Sequence, residues 1–212
     1  MDKTFDLEFE KDINIKFFPY VGDNYKKSIP RILVLGESHY FSVELKDNIT
    51  ELTKCNNNTE TTRETVEEKY KSLTNTISML TNLVINNDWA YDKLAFYNFF
   101  QKYVGYGSSD KSLIDNSLIE QSQKAFFSVI EIIKPELVIA WGIGDLYEKW
   151  MPHEEYKFIN DDRTLYRYKK YMETYIWHMP HPSAPKFNLY DTTNSFLNVC
   201  NKCKYNFPII KE

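Results

Sequence analysis

Ile32-Leu33-Val34-Leu35-Gly36-Glu37-Ser38-His39-Tyr40 is the stretch that decides the fold. Its apolar residues run continuously and do not alternate with polar ones, as a parallel strand covered on both faces requires. The run ends in a glycine and turns polar at once. A second stretch with the same layout comes well over a hundred residues later. There Tyr175-Ile176-Trp177 reads as a buried strand and runs into Met179-Pro180-His181-Pro182-Ser183. Ligands of open α/β sheets sit beyond the carboxyl ends of such strands. Two polar turns distant in sequence are therefore expected to face one pocket.

Between them lie further elements. Leu94 through Phe100 reads as a strand rich in aromatics, and Leu137 to Trp141 as another. Residues 60–86 suit a long helix, because Val66, Tyr70, Leu73, Ile77, Leu80 and Val84 recur at steps of three or four. Residues 117–134 form the clearest helix, with Leu118, Ser122, Ala125, Phe126, Val129, Ile130 and Ile133 on one face and Pro135 as its stop. Gly142-Ile143-Gly144-Asp145 turns into a short helix up to Trp150, and residues 163–178 read as one or two strands in a more antiparallel style. A last helix covers 191–205 with Asp191 as its N-cap. Residues 41–59 read as an exposed loop, Gly105 to Asp110 as a turn-rich insertion, and residues 1–29 as an N-terminal extension without a period. Alternating strands and helices imply a single α/β domain over residues 1–212. Its expected form is three layers, α/β/α, around a mostly parallel four-stranded sheet.

At 212 residues the chain is long enough for a sizeable core. Aromatic residues make up 16% of it, and most of these are expected to pack inside. No apolar run approaches a bilayer span. The N-terminus lacks a signal-peptide layout, and Cys55, Cys200 and Cys203 are an odd count, so a reducing cytoplasm is the expected compartment. The net charge of −4 argues against strong non-specific binding to nucleic acid. Residues 151–212 nevertheless carry nine Lys/Arg against seven Asp/Glu. Ordinary solvated surface explains so small an excess better than a basic face does.

Several residues carry chemistry at the expected pocket. Gly36 lets the backbone turn sharply or approach a ligand. Glu37 suits orientation or deprotonation of a water, and His39 suits an acid, a base or a hydrogen-bond donor. A polar loop that only caps the next element would read the same. Asn98, set among Phe96, Tyr97, Phe99 and Phe100, offers the donor and acceptor that reading a base edge requires. An amide satisfied by neighbouring backbone is the alternative. His181, held by Pro182, can donate to charge developing on a ligand oxygen. His178 and His181 are three apart, which suits a metal on a helix better than on this Pro-flanked segment. Cys200 and Cys203 lack a second pair and read as buried apolar residues. The P-loop and G-x-G-x-x-G patterns are absent. So is G-x-S-x-G, although Ser38 as nucleophile with His181 as base describes a hydrolase.

Taken together, Gly36-Glu37-Ser38-His39-Tyr40, Asn98, Trp141-Gly142 and His181-Pro182-Ser183 resemble the uracil-DNA glycosylase superfamily. The resemblance covers about residues 30 to 205. The first motif departs from it, with Ser38 where many members have Asp or Asn and His39 where they have Pro. Members that begin Gly-Glu usually continue Ala-Pro-Gly and often carry an iron–sulfur cluster, for which this chain lacks the cysteines.

The resemblance implies a monofunctional DNA glycosylase that needs no metal or organic cofactor. Its partner would be single- or double-stranded DNA carrying a damaged or modified base. The base flips into a pocket, Tyr40 or Phe41 stacks on it, and Asn98 reads its edge. His181, in a turn with Ser183, donates to the departing base. Glu37, His39 or Ser38 helps water add to the sugar, with Glu37 favoured by chemistry and Ser38 by motif position. Lys186 would meet a phosphate, and Phe187 would fill the vacated stack. A protein on the same fold that binds a nucleobase or nucleic acid without cleaving it is the alternative.

Overall fold

The computed structural model describes residues 1–81, 91–107, 110–142, 144, 146–152 and 155–205. Chain order begins with α1 (Asp6–Lys11), β1 (Tyr20–Val21), β2 (Ile32–Gly36) and β3 (His39–Phe41). Helices α2 (Ile49–Asn56), α3 (Thr61–Glu67) and α4 (Lys71–Thr81) lead to β4 (Leu94–Asn98) and β5 (Tyr103–Tyr106). Then follow α5 (Asn116–Ile133), β6 (Leu137–Trp141), β7 (Tyr156–Phe158), β8 (Leu165–Tyr168), β9 (Tyr175–Met179) and α6 (Leu189–Cys203).

The central sheet has seven strands among the described residues, in the order β1-β4-β2-β6-β9-β8-β7. This corrects the four-stranded expectation. Four parallel strands, β4-β2-β6-β9, do form its middle, with Ile32 paired to both Leu94 and Leu137, and Leu137 to Tyr175. Antiparallel strands extend both edges: β1 on β4, and the β7–β8 pair on β9. The extra strands are short. Two residues of β1 and three of β7 are too few to show any period.

Successive residues of β2 serve opposite faces, as the pleat requires. Leu33 and Leu35 join α1 and α5 in one core. Ile32 and Val34 join α3, α4 and α6 in the other. The sheet is thus covered on both sides, which explains why its central strands are apolar throughout. On α5 the seven residues expected on one face are the ones buried, and Asp115 caps the helix by accepting from Leu118 N. Cys200 and Cys203 are buried on α6, and burial raises both thiols, Cys203 to about 12.

Other expectations need correction. The helix over 60–86 is two helices, α3 and α4, separated by Lys69 at positive φ; Val84 lies outside the described residues. The loop over 41–59 contains α2, whose N-cap is Asn48. The last helix begins at Leu189. Asn188 caps it by accepting from Asp191 N, so Asp191 sits in the first turn, where a negative charge suits the helix dipole. Residues 1–29 are built into the fold, with Phe9, Phe17, Phe18, Val21 and Tyr25 buried. Among the described residues no helix is long and apolar enough to cross a membrane.

Candidate functional site

The chain passes from β2 to β4 on one side and reaches β6 on the other, so the topology switches direction at β2. A cleft opens there, at the carboxyl ends of all four parallel strands. Its volume is about 1150 Å³, above the range typical for drug-sized ligands. Glu37 and Ser38 reach it from β2, Asn98 from β4, Trp141 from β6, and His181 and Ser183 from β9. Tyr40, Phe41 and His39 line it as well, and α3 supplies a wall of Thr61, Glu64 and Thr65. The two distant polar turns therefore do share one pocket.

The His181 turn is braced from two directions. Asn75 of α4 donates to the Pro182 carbonyl (2.8 Å), and the Trp141 ring packs edge-on against the imidazole at 5.6 Å. Trp141 is itself fixed by its Nε1–H donating to Thr76 Oγ1 (3.0 Å). Nδ1 of His181 lies 3.2 Å from the Ser183 backbone nitrogen and 2.8 Å from Ser183 Oγ. A backbone N–H only donates, so Nδ1 accepts and the ring proton of the neutral form sits on Nε2. Burial holds His181 below the usual histidine value, with the Glu37 carboxylate pulling it partly back. The cleft thus receives a neutral imidazole as a donor.

Glu37 is fixed by its neighbours. The Phe100 N–H donates to the Glu37 carbonyl at 3.0 Å, continuing the ladder past β2. Lys111 Nζ lies 2.9 Å from Glu37 Oε1, and the Tyr40 hydroxyl donates to the same oxygen at 3.3 Å. Lys111 also stands 4.6 Å over the Trp150 ring. The turn that carries it is built on Asp110, whose carboxylate accepts from Tyr106 N and Ser112 N. Sequence reading missed Lys111, because nothing in a turn-rich insertion marks one lysine as inward.

Ser38 and His39 behave differently from Glu37. Ser38 Oγ is buried and makes no hydrogen bond of normal geometry, although it is close enough to the Tyr40 hydroxyl to affect it electrostatically. It has no bond to His181, so the contact a serine hydrolase needs is unformed. His39 is packed between Phe17 (5.3 Å, edge-on) and Tyr103 (5.6 Å), with Nε2 3.2 Å from Thr62 Oγ1. Burial pushes its imidazole down to about 3. It therefore stays neutral at ordinary pH and is a poor base, and its place is that of a support for Asn98. Phe41 stacks on Tyr103 at 4.3 Å.

Three remaining expectations are placed as follows. Gly36 is buried against Asn98, which lies opposite it in the β2–β4 register. Lys186 is exposed, and Phe187 is half-buried against the core cluster that holds Trp177 and Phe196. Both stand outside the cleft lining. His178 has both ring nitrogens engaged, Nδ1 donating to Gly142 O (3.1 Å) and Nε2 accepting from the Tyr166 hydroxyl (3.2 Å). Those bonds leave it no lone pair for a metal.

No protein-family model matches this chain, and no curated protein matches it.

Proposed function

We propose that this protein is a DNA glycosylase that hydrolyses the N-glycosidic bond of a damaged or modified base flipped into the strand-end cleft. One observation carries the reading. His181 is a neutral imidazole with Nδ1 tied to Ser183, so that Nε2–H is the group offered to the cleft. A preorganised donor of this kind stabilises negative charge on a departing base, an effect of about 3–4 kcal/mol. Glu37, held by Lys111 and Tyr40, supplies fixed negative charge for the cationic sugar and an acceptor for the attacking water. The buried hydroxyl of Ser38 favours Glu37 over Ser38 in that role. Tyr40, half-buried, supplies an aromatic ring at the cleft, whereas Phe41 is buried and stacked on Tyr103.

The pairing of Glu37 with Lys111 favours a second reading, a nucleobase-binding or nucleic-acid-binding protein without cleavage, because a carboxylate oxygen held in an ion pair is less free to orient an attacking water. A glycosylase screen separates the two. The protein is incubated with single- and double-stranded DNA carrying uracil, hypoxanthine, xanthine or modified cytosines, and abasic sites are cut with alkali. Cleavage lost in His181→Ala and Glu37→Gln supports the enzyme. Binding without cleavage on every substrate supports the second reading.

A further inference from the structure

The Asn98 amide has two N–H donors and one oxygen. Its Nδ2 is 3.4 Å from the Ser38 carbonyl oxygen, 3.0 Å from His39 Nε2 and 3.4 Å from His39 Nδ1. A carbonyl only accepts, so the end of the amide facing Ser38 is the NH₂; the flipped amide would set oxygen against oxygen. The NH₂ end is thereby turned into the protein, toward the Ser38 carbonyl and against the His39 ring. The oxygen is not. Asn98 Oδ1 accepts no hydrogen bond from any described residue, yet it is not sealed off, although the residue is only 4% exposed and lines the cleft.

The orientation is locked from behind. His39 is wedged between aromatic rings and held at Thr62, and burial keeps it uncharged, so an uncharged ring packs against the NH₂ end of the amide at any ordinary pH. Asn98 is therefore an acceptor, with no donor beside it. His181 contributes the opposite chemistry, an Nε2–H donor.

The geometry points to a base with an exocyclic amino group, of the cytosine type, as the ligand of this cleft: its amino group donates to Asn98 Oδ1 and its ring-flanking carbonyl accepts from His181. The assignment rests on the glycosylase reading for the role of His181, and His39 is the positioning residue that sets it. A uracil-type ring puts a keto oxygen where the amino group would be. That oxygen meets an acceptor and loses its water, at a cost in affinity on the order of tenfold to a hundredfold.

The test uses bases that differ only in amino against keto: cytosine with uracil, and 5-hydroxymethylcytosine with 5-hydroxymethyluracil. Free bases are titrated into the intact protein, and binding is followed by the shifts of backbone amide resonances around the cleft in NMR, a signal that every variant retains. The amino member of each pair is expected to bind at least tenfold more tightly. Asn98→Ala, and His39→Phe by freeing the amide to rotate, should each bring the ratio to within about twofold. The ratio is internal to each folded protein, so a loss of stability does not obscure it. Equal binding in the wild type, a keto preference, or full selectivity in His39→Phe overturns the assignment. The same bases placed in oligonucleotides keep the two readings apart. Selective binding with no strand cut removes the glycosylase reading alone, and faster excision of the keto member removes the amino assignment alone.

Discussion

A Cβ added to Gly36 would fall 2.0 Å from Asn98 Oδ1. The two residues are register partners on β2 and β4, and the glycine is what allows a polar side chain to lie across the strand next to it. Asn98 is buried and held at His39, so it has little room to yield. Gly36→Ala should therefore cost about 1–3 kcal/mol of stability, as overpacking does. It should also displace the amide and weaken base binding by more than the stability loss explains. Denaturant midpoints and base titrations on the same preparation check this. A variant with unchanged base affinity would mean that Asn98 does not read the ligand.

Two histidines make stability fall on mild acidification. Burial holds His39 at about 3 and His178 at about 4, against about 6.5 in an unfolded chain. Between those values the unfolded state binds protons that the native state refuses. The stabilisation is therefore complete above about pH 6.5 and is lost as pH falls toward the folded values. At pH 5 the loss is about 2 kcal/mol for each residue. The carboxylates that hydrogen bonds hold low against the opposing effect of burial, Asp2 and Asp12 among them, add their loss only below their ordinary range, near 3.8 for these two. Urea midpoints between pH 7.5 and 5 should show this slope, reduced by about one proton in His178→Gln. A flat profile would mean that these imidazoles are hydrated.

Ser183 orders the His181 tautomer through both its backbone N–H and its hydroxyl. Ser183→Ala leaves the backbone donor at 3.2 Å and removes the shorter contact. One neutral hydrogen bond is worth about 0.5–1.5 kcal/mol, so on the glycosylase proposal base release should slow by up to about tenfold with substrate affinity unchanged. His181→Ala removes the donor itself and should slow it by about 10²–10³. Single-turnover rates at saturating DNA distinguish these steps. An effect of Ser183→Ala confined to affinity would mean that Ser183 contacts the substrate and does not act through His181.

The centre of the fold was legible because burial on both faces forces an uninterrupted apolar run, and Ile32 to Leu35 and Leu137 to Ala140 are such runs. The face of α5 was legible because its period extends over 18 residues. The edges were not: β1 follows the core strand β4 through backbone pairing, which leaves no pattern in two side chains. At the site, each motif at a strand end was legible, since topology alone gathers strand ends. Partners supplied from elsewhere were not. Lys111 and Thr62 reach Glu37 and His39 through turns and helices whose sequences are locally ordinary. Phe187 shows the converse, because an aromatic in a loop reads alike whether it projects or packs inward.

Arg63 ties the N-terminal segment to the wall of the cleft. The residue is 1% exposed, and its guanidinium bridges both oxygens of Asp6, donates to Glu60 at 2.6 Å and to the Pro19 carbonyl at 3.2 Å, and lies over Phe18. Asp6 is on α1, whereas Arg63 is on α3 next to Thr62, the residue that holds His39. Removing one partner of a buried pair costs about 3–5 kcal/mol. The lower end applies here, because Asp6 and Glu60 keep some contact with water. Arg63→Met should accordingly lower stability by about 3 kcal/mol and speed proteolysis within residues 1–29 before the rest of the chain is cut. Deletion of residues 1–29 removes Phe9, Phe17 and Phe18 from the core along with Asp6, and should leave no cooperative unfolding transition. If the shortened chain melts at the wild-type midpoint, the segment is an appendage and the clamp has no structural role.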